Sequence, residues 1–496
     1  MNRSSGVLLP VFSLPSKYGI GDLGANAYKF VDLLSKSYQK YWQVLPLNPI
    51  EESNSPYYSI SSYAGNPLFI SPDDLYEQGL ISKSDISEII VKDFHINYSE
   101  VKEYKSSLLK IAFENFNKDR KNIKDLERFI FRDEYNIYEY AVFKSIKEKM
   151  SGLPFIDWDD DLKLHKNEAL LKFENENREL INYYVFEQYL FFKMWNKLKS
   201  YAENKGIKII GDAPIYSSPD SADVWAYYQN FNLDENRIPI QVAGCPPDAY
   251  SPDGQLWGNP VYDFENLRKT NYEYMISKFS HLAKLYDCIR IDHFRGYESY
   301  YSIDISKEDA RSGTWNKSFG EEFFNILKSK FKNTEFIAED LGFITTEVID
   351  LLHKVDFPGM EVFQFAINHK SGNSEDYLPH NYPKNSVAYL GTHDNDTFCG
   401  WFDKLDEIDE KFTKDYLRSN PYVDINIAAL KVLYNSNSNL VISTPQDILG
   451  IGSIGRINTP GTVGNKNWSY IFNKEDLFSD KLCEELSKLT IGTKRK

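Results

Sequence analysis

Residues 288–296 read Cys-Ile-Arg-Ile-Asp-His-Phe-Arg-Gly, a short apolar stretch that ends in charged side chains. Side chains alternate across a β-strand, so Arg290 and Asp292 share one face of the predicted strand, while Ile289 and Ile291 occupy the other. An arginine two residues before an aspartate is expected to hold the carboxylate ionised, with a low pKa. An ionised carboxylate at the end of a buried strand is a candidate nucleophile.

Two further apolar stretches end in the same way. Residues 336–342 carry Glu339 near their end, and residues 389–395 carry Asp394 after His393. A carboxyl that is partly desolvated and close to a second carboxylate has a raised pKa, so Glu339 is expected to donate a proton. Acids at strand ends also serve as helix caps or ion-pair partners, and each residue alone allows that reading. Three of them, with an arginine beside one, favour catalysis.

Working outward from these stretches, short apolar or β-branched segments recur along the whole chain, at residues 6–13, 41–50, 208–216, 288–294, 335–342, 359–366, 387–395 and 440–449. Helical patterns lie between several of them. This alternation predicts an α/β protein whose eight parallel strands close into a (β/α)8, or TIM, barrel. Active sites of such barrels lie at the carboxyl-terminal ends of the strands, which is where the three acids are expected.

Two gaps between predicted strands are too long for simple crossovers. Residues 75–200 show amphipathic helical patterns and predict a large, mostly helical insertion between strands 2 and 3. Residues 217–287 are rich in proline and glycine and predict loop insertions at the C-terminal face, between strands 3 and 4, with a lid loop at 244–260. We expect one catalytic unit across residues 1–496.

Composition excludes several classes of function. The chain has 57 lysines and arginines against 72 aspartates and glutamates, a net charge of −15, which disfavours nucleic acid and anionic membranes as partners. Its mean hydropathy is −0.49, and no apolar run approaches the ~20 residues of a membrane span. Four cysteines stand far apart without CxxC pairing, which is typical of reduced thiols. We expect a cytoplasmic protein without a metal or cofactor.

The strand-end motifs at 290–296, 338–342 and 392–395 together resemble those of the 4-α-glucanotransferase family, also called amylomaltases or disproportionating enzymes, which are relatives of the α-amylases. The resemblance extends over most of the chain, through residues 4–10, 18–24, 55–57, 64–67, 211–216, 221–225, 244–260 and 458–462. So many motifs in the family's order make the resemblance highly specific.

The resemblance implies a role for each matching residue. Asp292 corresponds to the family's nucleophile, Glu339 to its general acid and base, and Asp394 to the acid that stabilises the transition state. The positions that hold the sugar at the reacting bond are Tyr57, Asp212, Arg290 and His393. The lid positions, which the resemblance places on the acceptor side, are Asp248, Gln255 and Trp257.

The implied reaction moves α-1,4-glucan segments between maltooligosaccharides, or between glucans derived from starch or glycogen. Donor and acceptor are both α-1,4-glucans. The family proceeds by double displacement through a β-glycosyl-enzyme, which retains the anomeric configuration.

Three other functions stay open at this point. A retaining α-amylase-type hydrolase shares the chemistry up to the covalent intermediate. A glucan-binding protein without activity would keep the aromatic residues but need not keep the acids. A nicotinamide-dependent oxidoreductase is suggested by two GxGxxG patterns, at 19–24 and 450–455. The first is separated from its strand by a proline-containing segment, and Pro460 breaks the helix expected after the second.

Overall fold

The computed structural model describes residues 1–496 except 134, 248–252, 371, 373–374, 419–420 and 465. The strands in the described part of the chain are β1 (Ser4–Leu8), β2 (Tyr41–Gln43), β3 (Lys208–Ala213), β4 (Gln241–Cys245), β5 (Gln255–Pro260), β6 (Cys288–Ile291), β7 (Ser299–Asp304), β8 (Thr314–Lys317), β9 (Glu335–Ala338), β10 (Gly359–Val362), β11 (Ser386–Tyr389) and β12 (Leu440–Ser443).

Eight of these strands form one parallel sheet in the order β10-β11-β12-β1-β2-β3-β6-β9. Its two outer strands meet at a seam, where the Ala338 N–H donates to the Pro358 carbonyl at 2.9 Å. Beside it, the Met360 N–H donates to Asp340 Oδ1 at 2.7 Å. The sheet therefore curls round on itself, and the predicted (β/α)8 barrel is confirmed.

Each of the eight predicted strand segments overlaps a strand of this barrel, although each strand is shorter than its apolar run. Alternate residues fill the barrel interior, where the buried cluster comprises Leu8, Tyr41, Ile210, Cys288, Ile337, Met360, Val362, Val387, Tyr389, Leu440 and Ile442. The intervening residues, such as Ile289 and Val441, belong to the larger core between the sheet and the helices. Because Cys288 points inward, the alternation also directs Arg290 into the barrel.

The helices in the described part of the chain are α1 (Ala25–Lys36), α2 (Pro72–Glu77), α3 (Tyr98–Phe116), α4 (Arg120–Asp133), α5 (Tyr135–Lys149), α6 (Asp160–Lys163), α7 (Asn167–Glu176), α8 (Arg178–Asn204), α9 (Ala222–Ala226), α10 (Phe264–Lys269), α11 (Glu273–Leu285), α12 (Gly320–Lys330), α13 (Thr346–Val355), α14 (Phe398–Phe402), α15 (Glu407–Tyr416), α16 (Ile425–Tyr434), α17 (Pro445–Leu449), α18 (Lys474–Leu477) and α19 (Asp480–Gly492). Helices α2 to α8 form the insertion between β2 and β3. Among the described helices, none combines the length and the apolar character needed to cross a membrane.

The segment predicted as loops after β3 contains more regular structure than expected. Strands β4 and β5 lie in a separate four-stranded antiparallel sheet, of order β5-β4-β7-β8. Sequence reading missed these strands because they are short and irregular, with a register shift between Val242 and Gly244. In the other half of the sheet, β7 and β8 pack through the edge-on contact of Tyr301 with Trp315 at 5.1 Å. The division of the chain into one catalytic unit with insertions at 75–200 and 217–287 stays a prediction.

Candidate active site

The first two acids lie next to each other because hydrogen bonds between strands continue one residue beyond β6 and β9. The Asp292 N–H donates to the Ala213 carbonyl at 3.2 Å, and the Glu339 N–H donates to the Ile291 carbonyl at 3.0 Å. His293 then takes a left-handed conformation, with φ of 47°. This turn ends the strand and directs the His293 N–H to Glu339 Oε2 at 2.6 Å. The two carboxyls therefore meet at one edge of the barrel.

Arg290 lies beneath these acids with only 3% of its surface exposed. Its Nη1 donates to both carboxylate oxygens of Asp212, at 2.8 and 2.7 Å, and to Asp292 Oδ1 at 3.1 Å. Its Nη2 lies 3.8 Å from Glu339 Oε2. One buried guanidinium thus contacts or approaches three carboxyls, which fixes their positions at the mouth of the barrel.

The expectation that Arg290 keeps the pKa of Asp292 low is wrong. Burial raises the pKa of Asp292, and the attraction of Arg290 offsets this only in part. Burial also raises the pKa of Glu339, to about 8, with the charge of Asp292 adding to the effect, as the sequence predicted. The guanidinium is closer to Asp292 than to Glu339. The shared negative charge therefore rests on Asp292, and the proton rests on Glu339.

Asp394, the third acid, is held in position by the segment around Arg456 and Asn458, which sequence reasoning did not assign to the site. The Asn458 side-chain amide donates to Asp394 Oδ1 at 2.7 Å. Arg456 Nη2 donates to the backbone carbonyl of Asp394 at 3.0 Å, and the Asn458 N–H donates to the His393 carbonyl at 3.1 Å. Its second oxygen, Oδ2, lies 3.4 Å from His393 Nε2, and 42% of the Asp394 side chain is exposed.

Tyr57, from the loop after β2, connects Asp212 to His393. Its hydroxyl donates to Asp212 Oδ2 at 2.7 Å and lies 3.0 Å from His393 Nε2. The two rings are stacked, with centres 5.4 Å apart, and Trp468 packs against both. Burial lowers the pKa of His393, so the imidazole is neutral and hydrogen-bonds without adding charge.

The residues of β5, which form part of the predicted lid, lie against the turn after β6. The Trp257 ring meets the His293 ring edge-on, with centres 4.9 Å apart. The Trp257 indole N–H donates to Gln255 Oε1 at 3.1 Å. Asp248, the remaining predicted lid residue, lies outside the described residues.

The structure therefore brings every described residue of the predicted site to one face of the barrel. It adds Arg456, Asn458 and Trp468. Their signal in the sequence was weak, because the turn at 458–462 was recognised only as a motif. Asn458 is 64 residues from the acid that it holds, so no spacing pattern connects them.

The glycine pattern at 19–24 has a structural explanation instead of a nucleotide site. Gly19, with φ of +78°, lies so close to the helical insertion that an added Cβ would come within 2.8 Å of Ile89 and Val101. Asp22 is buried and lies 3.7 Å from the Lys105 ammonium. A buried, paired carboxylate at this position leaves no place for a pyrophosphate.

One group of side chains away from the three acids has the composition of a metal site. The ligand atoms of His369, Asp406 and Asp409 lie within 4.8 Å of one another. Lys370 Nζ is 3.2 Å from Asp406, and Asp406 also caps α15 through the Asp409 N–H. These carboxylates are thus engaged in ion pairing and capping.

Comparisons with known proteins identify the family of this chain. A family model described as 4-alpha-glucanotransferase covers residues 9–475. The chain is 43% identical to a 4-alpha-glucanotransferase of Clostridium butyricum, over 97% of this chain and 98% of the relative. It is 41% identical to a 4-alpha-glucanotransferase of Aquifex aeolicus, over 97% of each. The amylomaltase of Streptococcus agalactiae, solved with acarbose, has a TM-score of 0.96 at 37% identity, with 99% of both chains covered. The chain belongs to the 4-α-glucanotransferase family.

Proposed function

We propose that this cleft transfers α-1,4-glucan segments by a retaining double displacement, with Asp292 as nucleophile and Glu339 as general acid and base. The observation that most directly supports this proposal is the position of Arg290. Its guanidinium hydrogen-bonds Asp292 at 3.1 Å and lies 3.8 Å from Glu339. This arrangement leaves one acid charged and the other protonated in the same crevice. Retaining glycoside chemistry requires that pair of states.

In the first displacement, Asp292 attacks the anomeric carbon of the donor glucan while Glu339 gives its proton to the leaving oxygen. The bond to the shortened glucan breaks, and a bond from the anomeric carbon to an Asp292 oxygen forms with inverted configuration. Glu339 is left as a carboxylate, which the neighbouring Arg290 and the His293 N–H stabilise.

In the second displacement, Glu339 accepts the proton of the acceptor's 4-hydroxyl, and that oxygen attacks the anomeric carbon. The Asp292 bond breaks, so the configuration is inverted a second time and retained overall. Positive charge develops on the sugar ring in both steps. Asp394, held by Asn458, is placed to bond the sugar hydroxyls and to stabilise that charge.

The remaining predicted residues fit positions along the glucan. Tyr57, Asp212, Arg290 and His393 form one hydrogen-bonded group beneath the reacting sugar. Gln255 and Trp257, with Asp248 on the same lid, are proposed to contact the acceptor. An aromatic ring there offers a flat apolar surface for a sugar and excludes water, which favours transfer over hydrolysis.

Donor and acceptor are proposed to be maltooligosaccharides or longer α-1,4-glucans. Nucleic acid remains an unfavoured partner because of the −15 net charge. The proposed compartment is the cytoplasm, and the four free cysteines are compatible with its reducing conditions.

A single incubation separates the transferase from the alternatives. Purified protein is incubated with maltotriose, and the products are resolved by chromatography. A ladder of longer maltooligosaccharides with glucose supports transfer, and shorter products alone would show a hydrolase. An unchanged substrate would indicate a glucan-binding protein. Asp292→Asn, which keeps the side-chain shape, should abolish the ladder without changing the thermal transition by more than a few degrees.

Azide distinguishes the roles of the two acids. With an α-maltosyl fluoride donor, Glu339→Ala still forms the β-linked intermediate, and azide then displaces Asp292 to give the α-glycosyl azide. In Asp292→Ala, azide displaces fluoride directly and gives the β-glycosyl azide. Proton NMR of the products reads the anomer. The opposite pair of anomers would reverse the two assignments.

A further inference from the structure

An exposed aromatic ring lies in the segment that follows the proposed proton donor. Phe343 is 67% exposed and follows Glu339 by four residues in the segment between β9 and α13. Gly342 before it has φ of +86°, and an added Cβ there would meet open space. A glycine conformation thus sets the direction of the chain at the point where the ring leaves it.

The segment is anchored by a buried arginine. Arg295 Nη1 donates to the Phe343 carbonyl at 2.6 Å. The guanidinium lies over the Trp315 ring at 3.8 Å and 5.2 Å from the Phe343 ring centre. Arg295 is only 5% exposed, and its Nε has no hydrogen-bond partner among the described residues. Burying a guanidinium with an unpaired donor costs free energy. In this protein the buried guanidinium of Arg295 holds the segment that carries the exposed Phe343 ring.

Arg295 belongs to the same segment of the chain as the proposed nucleophile, Asp292. Arg295 follows Asp292 by three residues and lies in the turn whose His293 N–H bonds Glu339. Because Glu339 protonates the leaving oxygen, the leaving group and the later acceptor lie on its side of the reacting bond. The Phe343 ring is therefore placed along the acceptor side of the cleft.

We propose that Phe343 is a stacking platform for an outer glucose unit of the acceptor or leaving glucan, beyond the unit that contacts Trp257. This proposal rests on the proposed function. The apolar face of a pyranose ring is complementary to an exposed phenyl ring. Trp257 is on β5 and Trp315 on β8, which are the two edges of a four-stranded sheet. Three strand spacings put these edges roughly 14 Å apart. Phe343 lies at the Trp315 edge, because the Arg295 guanidinium contacts both rings. Only an acceptor several glucose units long therefore reaches both Trp257 and Phe343.

The test varies acceptor length while the donor is kept constant. With α-maltosyl fluoride as donor, the leaving fluoride does not fill the acceptor side, and an ion-selective electrode follows its release. Acceptors are glucose, maltose, maltotetraose and maltohexaose. Phe343→Ala should raise KM for maltohexaose about threefold to tenfold and leave KM for glucose unchanged. Phe343→Trp should preserve the wild-type values.

Phe131→Ala is the matched control, because that phenylalanine is 92% exposed on α4, outside the cleft. It should change no acceptor constant. An equal rise of KM for glucose and maltohexaose in Phe343→Ala would show a general structural effect and overturn the proposal, as would no rise for any acceptor.

Calorimetry separates failure of the platform from failure of the proposed function. Wild-type protein should bind maltohexaose more tightly than maltose, and Phe343→Ala should lose most of that difference. If fluoride release from α-maltosyl fluoride were independent of every acceptor, the proposed transferase activity would be wrong, and calorimetry would still decide for or against the platform. Equal length dependence in wild type and Phe343→Ala would rule the platform out.

Discussion

The first prediction concerns the protonation state of Glu339, which supplies the reacting proton in the proposed mechanism. Burial and the charge of Asp292 raise the pKa of Glu339 to about 8. Since each pH unit corresponds to about 1.4 kcal/mol, keeping the proton from pH 4.5 up to pH 8 is a preference of roughly 5 kcal/mol for the neutral acid. Only the protonated form can activate the leaving oxygen.

We therefore expect kcat/KM for maltotriose disproportionation to fall above about pH 8, tenfold for each further pH unit, since this profile reports the free enzyme. Fluoride leaves without protonation, so release from α-maltosyl fluoride in the first displacement should not show that alkaline limb. Glu339→Gln should lose about 10²–10⁴-fold in the maltotriose reaction and retain measurable fluoride release.

Of the other groups whose pKa lies near 8, Lys278 interacts with the charge of Asp292 and needs a control. Lys278 is buried, donates to the Pro214 carbonyl at 2.8 Å, and has its pKa lowered by burial to about 8. Lys278→Met should leave the position of the alkaline limb unchanged. A limb that disappears in Lys278→Met, or one that is the same for both donors, would refute the assignment of the proton to Glu339.

Three further predictions concern side chains around the site and in the barrel. Asn458→Ala removes the 2.7 Å bond to Asp394 and should lower kcat about tenfold, with little change in KM, in steady-state assays. Arg495→Met removes a fully buried guanidinium that donates to five backbone carbonyls, and denaturant titration should show a loss of about 3 kcal/mol or more. Gly211→Ala puts a Cβ 2.1 Å from a tyrosine ring and should cost about 1–3 kcal/mol. Gly492→Ala, where nothing lies within 4 Å, should cost nothing in the same assay.

The sequence predicted the barrel well because strand identity there is a local property. Each apolar run is bounded by polar residues, and alternation alone put Arg290 and Asp292 on the same face. The antiparallel sheet was missed since β4 and β5 are short and irregular, and their strand structure depends on partners as distant as β7. Local patterns carry no information about such partners.

The structure brings the described residues of the predicted site together, but its electrostatics differ in part from what the sequence predicted. Arg290 was expected to lower the pKa of Asp292, since the two are neighbours on one strand. The structure reverses that sign because Asp292 is also buried and faces Asp394. Desolvation and the third acid come from other strands, so their effect cannot be read from the spacing of two residues.

These electrostatics have a consequence for catalysis. A single guanidinium contacts or approaches Asp212, Asp292 and Glu339, so its positive charge cannot balance every acid when all are ionised. Burial, together with this excess of negative charge, raises the pKa of each carboxyl in the free protein, which is unfavourable for folding at neutral pH. The same excess attracts the positive charge that forms on the sugar ring in the transition state. Because the acids are already fixed by Arg290 and the strand ends, this attraction requires no rearrangement during the reaction. We therefore expect the repulsion among these carboxylates, which is unfavourable in the free protein, to favour binding of the transition state.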